Sequence, residues 1–259
     1  MPDRFVLPLV VRTFEADAHG QVLPATYLRW FQEAAIYASA ANGFDEERYR
    51  ALGTTWFVRE FHLVVHSQPQ TGETLEVITW AADIERITAH RQYSARRTNG
   101  DPIADAEAEW IYMDRATGKP RRLEREVIEA FPPQKEYALA DREWGKDLLG
   151  ADLPEADAHR MEHTVAWSEL DGAQHVNNAV YAQWITDHIV AASAGGRNES
   201  DEGPGVIRRL RLEYRRGARG GESLVWRLAR FPGTPRIWHH RSRIISSDEI
   251  VTQAVVEMA

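Results

Sequence analysis

Apolar residues recur at helical spacing in two stretches of the chain. From about Ala25 to Ala41, residues Tyr27, Phe31, Ala34, Ala35, Ala38 and Ala41 fall on one stripe, the recurrence expected of an amphipathic helix. Asn42-Gly43 supplies a stop. The many alanines on that stripe predict a helix held closely against a flat layer. A second helix is predicted over about 178–194, ahead of Gly195-Gly196. Asn177 or Asn178 can cap it, because an Asn side chain accepts from a free amide of the first turn. Most of the remainder reads as strands bounded by turn residues. In the first half these run over about 4–14, 56–66, 74–84, 87–97 and 102–114, with Asn99-Gly100 as a hairpin turn. In the second half they run over about 161–168, 206–216, 223–231, 236–246 and 249–258. Residues 126–160, which hold Pro132-Pro133 and Pro154, read as a linker with one short helix near 137–149. This divides the chain into residues 1–125, the linker, and residues 161–259.

The two halves are copies. Glu15, Asp17, Val22, Tyr27 and Trp30 match Glu169, Asp171, Val176, Tyr181 and Trp184, each pair 154 positions apart. Farther on, Gly72-Glu73-Thr74-Leu75 matches Gly221-Glu222-Ser223-Leu224, and His90-Arg91 matches His240-Arg241. Matching order over such a length marks a repeated supersecondary unit. Each copy is strand, long helix, then about four antiparallel strands, an α+β layer. Pairing two copies would bury their open faces and edges, as in a two-fold dimer fused into one chain.

Composition narrows the function. Hydrophobic residues make up 43% of 259, enough for a core. There is no cysteine, which excludes a thiolate nucleophile and a Cys-ligated metal and agrees with a reducing compartment. No apolar run approaches a membrane span, and the expectation is a soluble cytoplasmic protein. The net charge of −8 argues against a general nucleic-acid binder. Arg208, Arg209, Arg211, Arg215, Arg216 and Arg219 form a basic run. Such a run either docks an acidic carrier or is a solvated strand face. No Gly-x-Ser-x-Gly elbow, phosphate-binding glycine loop or His-Glu-x-x-His is present, and no metal or redox cofactor is called for.

The second copy, Ser168-Glu-Leu-Asp171 through Gln174-His175-Val176-Asn177-Asn178 to Tyr181 and Trp184, resembles the fatty acyl-ACP thioesterases of plants and bacteria. So does Leu212-Glu213-Tyr214-Arg215-Arg216. In the first copy, Phe14-Glu15-Ala16-Asp17 with Gly20 is similar to the same enzymes, and Asp17, Gly20, Tyr27, Arg29 and Trp30 also resemble 4-hydroxybenzoyl-CoA thioesterases. The resemblance covers roughly residues 10–125 and 163–258. It implies a tandem (double) hotdog fold, two long helices each wrapped by an antiparallel β-sheet. It implies hydrolysis of fatty acyl thioesters on acyl carrier protein, or on CoA, as part of fatty acid biosynthesis and lipid metabolism. A homodimer of such chains is compatible with it. The alternatives are a non-catalytic acyl-thioester binding protein and a hotdog dehydratase or hydratase.

Two loops compete for the chemistry. The resemblance gives Asp171 and His175 as the acid–base residues of the second copy. The family's Asn position is Ala173 here, and its Glu position falls on Gly217. In the first copy Asp17 matches the nucleophile or base of the hydroxybenzoyl enzymes. Pro24, which has no N–H, stands where their oxyanion-donating amide would be, so the amide of Ala25 or Thr26 would have to serve. Thioester hydrolysis needs a polarised carbonyl, a water and a base, and helix N-termini supply amides and a favourable dipole. Asn177 and Asn178 are the substrate-binding candidates at the second helix. The site is expected between the halves, near the two helix N-termini, with the second copy the working one. His19 reads as an exposed loop residue, Glu33 as a helix-face residue, and His90, His239 and His240 as strand-face residues.

Overall fold

A computed structural model describes residues 4–152, 158–194 and 205–259. The chain divides into two compact units, residues up to 15 with 27–140, and residues 16–26 with 141–259.

In the first unit, strands β1 (Phe5–Val10), β2 (Thr54–Val65), β3 (Thr74–Ile84), β4 (Thr88–Arg97) and β5 (Pro102–Asp114) pair antiparallel in the order β1-β3-β4-β5-β2. Pro102 sits at the first position of its strand, where a missing N–H is tolerated. The hairpin at Asn99-Gly100 forms as predicted, with Gly100 at φ +92°. Helix α1 (Pro24–Ala41) begins on proline, whose fixed φ suits the first helical position. Its inner face buries Leu28, Phe31, Ala34 and Ala38. Phe31 packs on Phe61 of β2 and Tyr93 of β4, with ring centroids 6.3 and 5.0 Å away. The alanines allow that approach, as the sequence pattern predicts.

Two differences from the sequence reading have clear causes. A short helix, α2 (Glu46–Ala51), lies between α1 and β2, where the sequence reading placed no element. Asp45 caps it by accepting from the Arg48 amide at 2.8 Å, and Glu46 and Glu47 suit its positive end. The linker holds two short helices, α3 (Arg125–Ala130) and α4 (Lys146–Leu149), instead of one over 137–149. Segment 136–138 is tied to the sheet by two hydrogen bonds. Trp80 Nε1 donates to the Glu136 carbonyl at 2.9 Å, and the Ala138 amide donates to Gln92 Oε1 at 3.0 Å. Those backbone groups are thereby lost to a helix.

The second unit repeats the plan. Strands β6 (His159–Thr164), β7 (Ile207–Tyr214), β8 (Ser223–Phe231), β9 (Thr234–Ile244) and β10 (Ile250–Met258) pair antiparallel in the order β6-β8-β9-β10-β7. Helix α5 (Asn178–Ala194) starts at the repeat position of Pro24. Its predicted stop at Gly195-Gly196, the polar loop up to residue 204, and Pro154 lie outside the described residues. Even turn contacts recur. Val11 and Gly72–Glu73 exchange main-chain hydrogen bonds of 2.9 and 2.8 Å, and Val165 with Gly221–Glu222 does the same at 2.9 Å in both directions.

The basic run divides: Arg208, Arg215 and Arg219 are exposed, as on a solvated face, while Arg211 is drawn inside. Arg211 is 1% exposed and donates to the carbonyls of Arg142 and Trp144. Arg209 pairs with Glu257, Arg215 with Glu213, and Arg216 with Glu222. Arg211→Met is expected to destabilise the protein by about 3 kcal/mol, because it removes charged donors from carbonyls they hold in place. A fall in the urea midpoint at unchanged slope would register it; an unchanged midpoint would refute it.

Candidate active site

Both copies fold the same loop ahead of their long helix. In each, the chain leaves the first strand through a 3-10 turn, Thr13–Glu15 or Trp167–Glu169. This turn shortens the first strands relative to the sequence reading. A glutamate makes it. Glu15 Oε2 accepts from the Arg12 amide, and Glu169 Oε2 from the Ala166 amide, both at 2.7 Å. The other oxygen of each takes a tryptophan indole N–H at 3.0 Å, Trp30 to Glu15 and Trp184 to Glu169. Tyr27 and Tyr181 lie edge-on to those indoles, at 5.3 and 5.2 Å. The sequence carried this Glu–Trp clamp in its identical spacing in the two copies, but spacing alone did not reveal its role.

The aspartates then close the loops. Asp17 Oδ1 accepts from the amides of His19 and Gln21 at 2.8 and 2.9 Å. Asp171 Oδ1 accepts from the Ala173 amide at 2.8 Å. Main-chain bonds Asp17 N–H to Gln21 C=O and Asp171 N–H to His175 C=O, at 2.9 and 2.8 Å, complete the matching turns. The first loop turns through Gly20 at φ +76° and the second through Gln174 at φ +61°. Left-handed backbone costs glycine little, whereas glutamine adopts it only where the surroundings enforce it.

His175 is half-buried, on the bond that ties its loop to the β7–β8 turn. Val176 N–H donates to the Ala218 carbonyl at 2.9 Å, and the Ala218 amide donates to Tyr181 Oη at 3.0 Å. Tyr214 Oη donates to the Asn178 carbonyl at 3.0 Å. Burial pushes the Tyr181 and Tyr214 phenols above their usual range, so both stay protonated.

The helix starts sort the remaining candidates. Asn177 is the cap of α5: its Oδ1 accepts from the Ala179 amide at 3.0 Å. Asn178 Oδ1 is buried with no hydrogen-bond partner among the described residues. In the first copy the Thr26 amide donates to the Leu23 carbonyl at 2.9 Å. Ala25 and Thr26 are both buried. His19 and Glu33 are exposed. A polar cleft lined by Gln68, Gln70, Thr71, Gly72, Glu73 and Arg97 lies at the first unit's turn before β3.

Behind the second loop lies an aromatic and imidazole core. Trp184 and Trp226 rings are 4.9 Å apart, and Trp226 lies 5.2 Å from His188 and 4.9 Å from His240. His188 Nδ1 and His240 Nε2 are 3.3 Å apart. The strand-face reading of His240 and His239 is met, though both are buried. Among the described residues no three His, Asp or Glu side chains stand where they could hold a metal ion, and no helix is long and apolar enough to cross a membrane.

The sequence matches the acyl-ACP thioesterase N-terminal domain over residues 4–131 and the acyl-ACP thioesterase C-terminal domain over residues 153–228. It is 27% identical over 233 residues to the chloroplastic palmitoyl-acyl carrier protein thioesterase of Arabidopsis thaliana, covering 86% of this chain and 54% of that one. It is 29% identical to a chloroplastic acyl-[acyl-carrier-protein] hydrolase of Cuphea viscosissima, covering 83% and 52%. The chain thus spans about half the length of these curated relatives. Among solved structures, the 12:0-ACP thioesterase from Umbellularia californica superposes with a TM-score of 0.80 at 20% identity, covering 99% of this chain and 97% of that one. An acyl-ACP thioesterase from Bacteroides thetaiotaomicron does so with 0.80 at 18%, covering 98% and 97%. With its two halves matching the two domains in order, the chain belongs to the acyl-ACP thioesterase family.

Proposed function

We propose that this protein hydrolyses fatty acyl thioesters of acyl carrier protein, releasing the free acid and the carrier thiol. The observation that carries the proposal is the second-copy loop. There the family's His175 sits on a fixed turn ahead of a capped helix, beside Asp171. The relatives named above act on acyl-ACP. The repeated strand order, β1-β3-β4-β5-β2 and β6-β8-β9-β10-β7, supports reading the fold as a tandem hotdog.

In this reading His175 is the general base. It takes a proton from a water that attacks the thioester carbonyl, then returns one to the leaving thiolate. Asp171 keeps the loop closed and sets a negative charge near the imidazolium that forms. The start of α5 faces the developing oxyanion with its positive end, and the Asn178 amide orients the acyl-pantetheine. Ala173 and Gly217 withhold two polar side chains that the family pattern has. That departure gives one competing reading, a protein that binds acyl thioesters without cleaving them. Thiol release measured over a panel of acyl-ACPs and acyl-CoAs decides. Turnover on acyl-ACP is expected. Binding without thiol release would establish the competing reading, and release from acyl-CoA alone would reassign the carrier.

A further inference from the structure

We propose that Gly217 is a positioning residue, the seat on which the His175 imidazole rests. The inference builds on the reading of His175 as the base. A Cβ built on Gly217 would lie 2.7 Å from His175 Cδ2, 3.0 Å from Cγ and 3.3 Å from Cβ. The ring therefore occupies the place of a side chain at 217. The turn cannot retreat to make room. Its next residue, Ala218, is fully buried and is held through both main-chain groups, by Tyr181 Oη at 3.0 Å and by the Val176 amide at 2.9 Å. Any side chain at 217 must push the imidazole.

Backbone conformation does not explain the glycine. Gly221, at the end of the same turn, needs its left-handed φ of +80°, but Gly217 lies outside that region. A side chain there would be acceptable to the main chain, and in this chain its place is taken by the imidazole. The first copy provides the contrast. The repeat position of Gly217 is Gln68, and that of His175 is Gln21. Where the histidine is absent, so is the glycine.

The family's carboxylate at this position is thus replaced by space that the imidazole fills. Acid–base catalysis depends on the base lying within hydrogen-bond reach of the reacting proton. A misplacement of about 1 Å can cost on the order of a hundredfold in rate.

The test is Gly217→Ala in the full chain. Expected are a kcat on acyl-ACP lowered about tenfold or more, a KM within about twofold of wild type, and a changed pH–rate profile. The His175 ring proton resonances should move, and in a His175→Ala background the substitution should have no further effect on kcat. Gly220→Ala is the control for the fold of the turn. Its Cβ would meet Leu170 Cδ1 at 3.1 Å and not the imidazole. Unmoved His175 resonances, or a kcat at wild-type level, would overturn the proposal. So would equal losses of kcat and thermal stability in both glycine variants. Moved resonances with unchanged turnover would place the fault in the role given to His175, while unmoved resonances would place it in the seating itself.

Discussion

His175→Ala is expected to lower turnover on acyl-ACP by about a hundredfold or more, a barrier increase of roughly 3 kcal/mol. Asp171→Asn is expected to follow it, with a smaller loss. An asparagine keeps an oxygen for the Ala173 amide, so the loop stays closed and only the charge is removed. Asp17→Asn is the counterpart in the first copy. It preserves an acceptor for the His19 and Gln21 amides, and turnover is expected near wild type. Two structural facts favour the second loop. The first has glutamine, Gln21, where the second has His175. Of the two amides the first loop could use to polarise a carbonyl, Ala25 and Thr26, that of Thr26 is bound to the Leu23 carbonyl. Loss of turnover in folded Asp17→Asn, with His175→Ala near wild type, would reverse the assignment.

The second large effect concerns acid. His188 and His239 are buried, and desolvation pushes each imidazole down to about 4. His163 adds to the effect on His188, and Arg241 to that on His239. His240 is also pushed well below the ordinary imidazole range by burial, with His188 and His239 nearby. The hydrogen-bond pattern shows why the neutral forms are kept. His240 Nδ1 is buried without a partner among the described residues. If His240 Nε2–H donates to His188 Nδ1, only a lone pair is left unpaired, which costs less than a buried N–H. A protonated His240 would bury a donor. The unfolded chain binds these protons below its ordinary imidazole value of 6.5, whereas the folded chain resists until about 4. Stability is therefore full above about pH 6.5 and is lost as pH falls through the window down to 4. At pH 5 the loss is roughly 2 kcal/mol for each of His188 and His239, large against a typical stability of about 5–15 kcal/mol. Urea midpoints should drop between pH 7.5 and 5, and His188→Gln should flatten the drop. Equal midpoints at the two pH values would refute this account.

The sequence carried most of the architecture because its signals were local or doubled. The helix predicted over 178–194 is observed there, and α1 starts one residue before the predicted 25–41, because Pro24 itself occupies the first turn. Strands 74–84, 102–114 and 223–231 are found at their predicted ends. What the sequence hid depends on contacts between distant residues. Nothing near Ala138 announces that its amide goes to Gln92, or that Arg211 of the basic run would be buried under residues 142–144. At the site, Asp171, His175 and the cap of α5 were readable as local chemistry. The Thr26–Leu23 bond and the contact of His175 with Gly217 were not, since each needs the loop's actual path.

The strand order has a kinetic consequence. In each unit the β3–β4–β5 or β8–β9–β10 meander joins strands that follow one another in the chain, so it can zip from its hairpins. The strands before it cannot. β1 and β2 find their places only on the outer strands of a meander made later, and the long helix between them must wait as well. Such distant pairings carry the loop-closure cost that slows folding. During synthesis each copy's apolar helix therefore leaves the ribosome before the sheet that shelters it, and the chain meets that exposed interval twice.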